Sequence, residues 1–244
     1  MRGHPRPPGS NGDGHGAAVM QALLDLLFPP RCAGCRELLG AAGPFCPRCR
    51  ETLCEVPAAH CPTCGEPDVA GTCAHCLADP PAYERVVAPF LHGGALADAI
   101  HRLKYEDRPQ LAPALASLIA PALSPELDWC DLVAPISLHA HRLRTRGYDQ
   151  ALLLARALAQ PAGRPVVARA VRRVKDTTPQ VGKDRAQRRE NVAQAFAGNP
   201  EVAGKKVLLV DDVLTTGATA HAAAQACRMV GAVAVRVAAL ARAG

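Results

Sequence analysis

The sequence predicts an α/β fold, a mainly parallel sheet flanked by helices, with a small cysteine-rich module in front of it. Three observations lead there. From Tyr83 onward, strand-like and helix-like hydrophobic patterns alternate, which is the order of a parallel sheet with crossover helices. Eight cysteines fall in four CxxC pairs confined to residues 32–76. Finally, Ala and Val supply much of the apolar content and only eight residues are aromatic, so the core is built from small aliphatic side chains that let helices pack close on a sheet.

The chain has 244 residues, enough for one α/β domain of about 150 residues and a smaller module beside it. Residues 1–16, MRGHPRPPGSNGDGHG, offer nothing to bury and read as a disordered tail. Ala17 to Phe28 reads as a short amphipathic helix stopped by Pro29 and Pro30; Gln21 and Asp25 interrupt it, and no small-residue cleavage site follows, which argues against an export signal. No run of eighteen apolar residues occurs, so no membrane insertion is expected, and the chain is expected to be soluble and cytoplasmic. The expected organisation is a tail over 1–16, a helix and cysteine module over 17–80, and an α/β domain over 81–244, divided near Pro80 and Pro81.

The cysteine pairs are Cys32/Cys35, Cys46/Cys49, Cys61/Cys64 and Cys73/Cys76, separated by ten, eleven and eight residues. Two intervening residues let a tight turn aim both thiolates at one ion, and two such knuckles complete a tetrahedral four-sulfur site of the structural zinc type. Two Zn2+ ions are therefore expected. Pairing sequence neighbours gives two ribbons of about twenty residues, and segments that short depend on metal for their folding. An interleaved pairing, first with third and second with fourth, satisfies the same spacing. Cys54, Cys130 and Cys227 fall outside the pattern and read as buried or incidental thiols; His60 and His75 are available as substitute ligands. Only five Arg residues, and no Lys, lie between Arg31 and Arg85, few for a DNA-binding finger, so a zinc-stapled cap is the favoured role.

In the second part, Ala95 to Tyr105 and Leu111 to Leu123 have helical periodicity, Asp131 to Ile136 reads as a buried strand, Tyr148 to Gln160 as a helix, and Val207 to Val210 and Val233 to Leu240 as strands. Charge is uneven: thirteen Arg and Lys against four Asp and Glu between Arg142 and Asn191 give that stretch +9, while the whole chain carries +6. Such a stretch suits a polyanionic ligand, either a phosphorylated small molecule or nucleic acid.

The most informative segment is Val207 to Ala220, VLLVDDVLTTGATA. Four apolar residues read as a central strand ending at Asp211 and Asp212, followed by the small-residue loop Thr215, Thr216, Gly217, Ala218, Thr219 and then a helix. Ligands of parallel sheets sit at that end of the strands. A Thr- and Gly-rich loop entering a helix offers clustered N–H groups, hydroxyls and the positive end of the helix dipole to a phosphate, while neighbouring carboxylates suit sugar hydroxyls. The loop is neither GxxxxGK[ST] nor GxGxxG.

This segment resembles the signature of type I phosphoribosyltransferases, enzymes of 5-phosphoribosyl-1-pyrophosphate (PRPP). The resemblance implies that Asp211 and Asp212 hold the ribose hydroxyls, as the catalytic pair, and that residues 215–219 hold the 5-phosphate. Further segments are similar to the ComF family, which joins a double zinc ribbon to this domain and includes proteins associated with DNA uptake: Leu103 to Asp107 (LKYED), Pro135 to Gln150 (PISLHAHRLRTRGYDQ) and Thr178 to Phe196. The match spans roughly residues 30 to 242. Tyr148 stands where the family often has Phe, and Asp149 where Asn is common. By this resemblance Ser137, Arg142 and Arg146 would contact pyrophosphate, Lys104 would contribute to the pocket beside Tyr105, and the basic segment Arg172 to Arg189, with Lys175, Gln180, Arg185 and Arg189, would close over PRPP. The implied cofactor is Mg2+, and the implied reaction is displacement of pyrophosphate from C1 of the ribose by an acceptor the residues do not name. The competing reading is a non-catalytic PRPP-sensing module that binds single-stranded DNA or a DNA-uptake protein. Nothing in the sequence excludes an oligomer.

Overall fold

The computed structural model describes residues 29–39, 43–137, 140–174 and 195–243, without the side chains of residues 140–142. The expected tail, the Ala17 to Phe28 helix, and Lys175, Gln180, Arg185 and Arg189 lie outside the described residues, as does the Arg142 side chain.

Two short helical turns, α1 (Pro47–Arg50) and α2 (Ala74–Ala78), each carry the second CxxC pair of a cysteine group. Strands β1 (Val86–Val87) and β2 (Phe90–Leu91) follow, then α3 (Gly94–Tyr105), α4 (Leu111–Trp129), β3 (Leu132–Pro135), α5 (Ala140–Arg146) and α6 (Gln150–Ala159). A two-stranded antiparallel arm, β4 (Val171–Arg173) with β5 (Phe196–Gly198), precedes β6 (Lys206–Leu214), α7 (Ala218–Met229) and β7 (Ala234–Arg242). The main sheet is parallel throughout, ordered β1-β7-β6-β3 with β2 also on β7. Each face is covered. Leu208 and Val210 of β6 pack with α3, α4 and α6, whereas Val207 and Leu209 pack with α7. The α7 contact face is almost all alanine, Ala220, Ala222, Ala223, Ala224 and Ala226 with Cys227, which is the small-residue core the composition implies.

Two expected boundaries move. The α4 helix continues past Leu123 to Trp129, because Leu123, Glu126 and Leu127 keep its buried stripe going while Pro121 and Pro125 face solvent, where a missing N–H leaves carbonyls that water can satisfy. Strand β6 does not end at the acids. It runs on to Leu214, in register with β7 from Lys206↔Ala234 to Leu214↔Arg242, so Asp211 and Asp212 lie inside the sheet.

The cysteines assemble as sequence neighbours: Cys32, Cys35, Cys46 and Cys49 in one group, and Cys61, Cys64, Cys73 and Cys76 in the other, with the four sulfurs of each within 4.8 Å of one another. The interleaved pairing is thereby excluded. His60 is not a ligand in either group; its Nδ1 lies 2.7 Å from the Pro57 carbonyl. The first group is continuous with the main core, since Cys32, Ala33, Phe45, Cys46 and Cys49 share a buried cluster with Leu96, Ala99 and Ile100 of α3. The second forms its own small cluster with Val69. Cys130 and Cys227 are buried as expected, and Cys54 is exposed.

Candidate functional site

Parallel β3, β6 and β7 end on the same side of the sheet, and Ser137, Asp211, Asp212 and the Thr215–Thr219 turn lie at that end. Beyond Pro135 the chain continues as Ile136, whose N–H donates to the Val210 carbonyl at 2.8 Å, which brings Ser137 level with the acids of β6. After Leu214, β6 turns through Thr215 and Thr216 into α7, whose N-cap is Gly217 at φ 76°. Glycine fits that left-handed position, and a Cβ there would also lie 2.9 Å from the Tyr83 hydroxyl. The first-turn N–H groups of α7 have no partner further up the helix and add to its positive end; the Ala218 N–H has a weak local acceptor, Thr216 Oγ1 at 3.4 Å.

The two acids differ. Asp212 is 4% exposed and has a partner on each oxygen: Lys104 Nζ of α3 lies 2.6 Å from Oδ1, and Gln150 Nε2 of α6 donates to Oδ2 at 2.8 Å. Gln150 in turn accepts from Arg146 Nη1 at 2.5 Å, and the Arg146 guanidinium lies 5.0 Å from the centre of the exposed Tyr105 ring. Asp211 is half-buried and its Oδ1 accepts the Asp212 N–H at 2.8 Å. Loss of water around its carboxyl, followed by the neighbouring Asp212 charge, raises it to about 8, against the opposing pull of Lys104. An acid that is mostly neutral at pH 7 stands next to one paired with a lysine.

The departures from the family pattern have structural partners. Asp149 is the N-cap of α6 and accepts from the Ala151 and Leu152 N–H groups at 3.0 and 3.2 Å, an acceptor role that a carboxylate fills as well as an amide does. Tyr148 uses its extra hydroxyl to donate to the Leu103 carbonyl at 2.6 Å, tying the start of α6 to the last turn of α3 just before Lys104. Tyr148→Phe is therefore expected to lower stability by about 1 kcal/mol, read by denaturant titration; no change would mean that water replaces the bond.

Sequence reasoning did not single out Gln150 as a site residue, although it closes the PISLHAHRLRTRGYDQ stretch. It also passed over Arg242, whose signal was a cation directly after the apolar run VAALA at the end of the strand AVRVAALAR. The basic segment 175–194 leaves and re-enters the described structure through the β4–β5 arm, where Arg172 pairs with Ala197 and Arg173 with Phe196.

The cysteine groups fit structural zinc. A tetrahedron of Zn–S bonds of about 2.3 Å has edges of about 3.8 Å, and Cys35–Cys46 and Cys64–Cys73 sulfurs stand 3.6 and 3.7 Å apart. Burial disfavours the Cys32 and Cys61 thiolates, but backbone N–H groups aimed at the sulfurs outweigh it and bring both down to about 6. The closed four-sulfur sets leave no open position for catalysis.

Residues 146–244 match the phosphoribosyl transferase domain family and residues 23–78 the double zinc ribbon domain family. Competence protein F of Haemophilus influenzae is 31% identical over 227 residues, which cover 88% of this chain and 98% of that protein. DNA utilization protein YhgH of Salmonella typhimurium is 32% identical over 184 residues, covering 72% of this chain and 81% of that one. Competence protein ComFC of Bacillus subtilis is 26% identical over 188 residues, covering 74% and 76%. Among solved structures, the glutamine PRPP amidotransferase of B. subtilis, complexed with ADP and GMP, is similar at 21% identity and a TM-score of 0.35, over 55% of this chain and 26% of that one, so this chain spans about a quarter of its length. The parallel sheet with flanking helices is that of the phosphoribosyltransferase domain, and no described helix is long and apolar enough to cross a membrane. The chain belongs to the ComF family, in which a double zinc ribbon is joined to a phosphoribosyltransferase domain.

Proposed function

We propose that this chain binds PRPP with Mg2+ at the C-terminal ends of β3, β6 and β7 and acts there as a phosphoribosyltransferase. The observation that carries the reading is the Thr215–Thr219 turn at the N-terminus of α7, directly after two acids of which one already holds a lysine. The 5-phosphate takes the α7 N–H groups and the Thr215, Thr216 and Thr219 hydroxyls. Asp211 and Asp212 accept from the ribose hydroxyls; Lys104 and Gln150 occupy one site on each Asp212 oxygen and leave each a second lone pair. Ser137, Arg142 and Arg146 face pyrophosphate, and Arg185 on the 175–194 segment closes the charge balance. Arg146 leaves its place over Tyr105 for that role, which frees the ring for an acceptor. Bound Mg2+ supplies positive charge to the departing pyrophosphate. The chain itself contributes positioning and electrostatics, with no side-chain nucleophile.

The test is calorimetry of the zinc-loaded chain with PRPP and Mg2+ at two temperatures; no binding heat at either would overturn the reading. The raised Asp211 carboxyl adds a signature. Its carboxylate form is the one that meets hydroxyls and metal, so binding below pH 8 releases a proton, and affinity should rise by about tenfold per pH unit below about pH 7, by about fivefold from pH 7 to 8, and then level off. Buffers of different ionisation enthalpy read the proton directly, and uptake instead of release would contradict the role given to Asp211.

A link to DNA uptake is supported by relatives named as competence and DNA utilization proteins and by the basic stretch Arg142 to Asn191. If the chain instead serves as a single-strand or partner-binding module, a salt-dependent shift of single-stranded DNA persists after Asp211 and Asp212 are replaced.

A further inference from the structure

Arg242, the last residue of β7, is 2% exposed and reaches in two directions. Its Nη1 donates to the carbonyl of Thr215 at 2.9 Å, in the turn that leads into α7. Its Nη2 pairs with the carboxylate of Glu66. Glu66 belongs to the first knuckle of the second cysteine group: the Cys61 N–H donates to the Glu66 carbonyl at 2.8 Å, and Gly65 N–H returns a bond to the Cys61 carbonyl at 2.8 Å. The same knuckle is fastened to the sheet by the Val86 N–H donating to the Thr63 carbonyl at 3.0 Å. A guanidinium this deeply buried is costly unless paired, and here the pairing spans two modules.

We propose that Arg242 is a positioning residue for the phosphate loop, and that through Glu66 the second cysteine group forms the outer wall of the phosphate site. The inference rests on the PRPP reading above. Holding the Thr215 carbonyl on the guanidinium turns that peptide's oxygen away from the anion, so the turn presents N–H groups and hydroxyls to phosphate in place of a carbonyl dipole of the wrong sign. A planar two-nitrogen fork is needed to serve the carbonyl and the carboxylate together, which lysine lacks.

The zinc-loaded chain and its Arg242→Met, Arg242→Lys and Glu66→Gln variants separate this from a merely structural role. Each is titrated with ribose 5-phosphate and, independently, with pyrophosphate and Mg2+, and each is assayed for zinc content and melting. Arg242→Met should weaken ribose 5-phosphate by roughly tenfold or more, the scale of one charge-assisted bond and a stranded carbonyl, and leave pyrophosphate within about twofold. Arg242→Lys should fall between Arg242→Met and wild type. Glu66→Gln, which keeps an acceptor and the fold, should lose about threefold for ribose 5-phosphate alone with zinc content unchanged, and it decides the matter if Arg242→Met does not fold. Equal loss of both ligands, or retained ribose 5-phosphate affinity in all three variants, overturns the inference while PRPP binding stands. A wild-type chain that binds neither ligand removes the PRPP reading and this inference with it.

Discussion

Replacing Asp211 and Asp212 together with asparagine should lower PRPP affinity by about a hundredfold or more, two charge-assisted bonds of about 1.5–3 kcal/mol each being lost. The two single variants should differ in stability, and that difference checks the site's electrostatics independently of any ligand. Asp212→Asn strands the Lys104 ammonium, whose partner oxygen lies 2.6 Å away in a pocket where only 21% of the lysine side chain is exposed. Part of that charge is screened by solvent, so the cost is about 1–2 kcal/mol. Asp211→Asn replaces a carboxyl already raised to about 8 with a neutral amide of the same shape, so at pH 7 the melting temperature should hold or rise. The sign follows from linkage. The unfolded carboxyl ionises near pH 4 and the folded one near 8, so wild type loses stability as pH climbs through that window and the amide does not. Calorimetry with PRPP and Mg2+ alongside melts at pH 5 and 8 reads all of this. Full PRPP affinity in the double variant would remove the acids from the site.

The parts of this site that were legible in the sequence are those encoded locally. A strand of VLLV leading to paired acids, a Thr–Gly turn and the first residues of an alanine-rich helix lie within fourteen consecutive residues, and CxxC spacing is fixed by the geometry of one turn. Strand ends were less legible. Apolar periodicity stops at Val210, but β6 stops where β7 stops pairing with it, at Leu214, and that is decided by a neighbour distant in sequence. Pairing of cysteine knuckles was open for a similar reason, since spacing constrains each turn and not which turns meet. The least legible features are polar pairs across the fold: Asp212 with Gln150, 62 residues apart, and Arg242 with Glu66, 176 apart. Neither residue type nor periodicity at one end announces the other. Glu126 makes the same point at the opposite end of the sheet. It sits 1% exposed in an otherwise apolar helix face, accepting from Arg236 Nη1 at 3.0 Å and from Arg85, while Arg236 stacks 3.9 Å over Trp129.

The two cysteine groups should respond unequally to loss of their metal. Removing the first group's ion with Cys46→Ser and Cys49→Ser should lower the stability of the whole chain by about 3 kcal/mol or more, on the order of 10 °C in melting temperature for a protein of this size. The first knuckle is wedged into the core. A Cβ at Gly34 would lie 2.7 Å from Ala95 Cβ and 2.9 Å from Cys49 Sγ, and the Arg102 guanidinium of α3 holds the Ala33 and Gly34 carbonyls. When that knuckle loosens, Phe45 and Ala33 leave the cluster they share with Leu96 and Ala99, and the half-buried Arg102 guanidinium loses its two carbonyl acceptors. Among the described residues the second group's hydrophobic cluster adds Val69 alone, and the group touches the domain through polar contacts at Thr63 and Glu66, so Cys73→Ser with Cys76→Ser should release one zinc at a smaller cost, about 1–2 kcal/mol. Zinc content measured by native mass spectrometry together with thermal melts distinguishes the cases. Equal melting of the two variants would show that core continuity does not set the first group's contribution, and an unchanged melt after loss of the first ion would show that packing against α3 holds the knuckle without it.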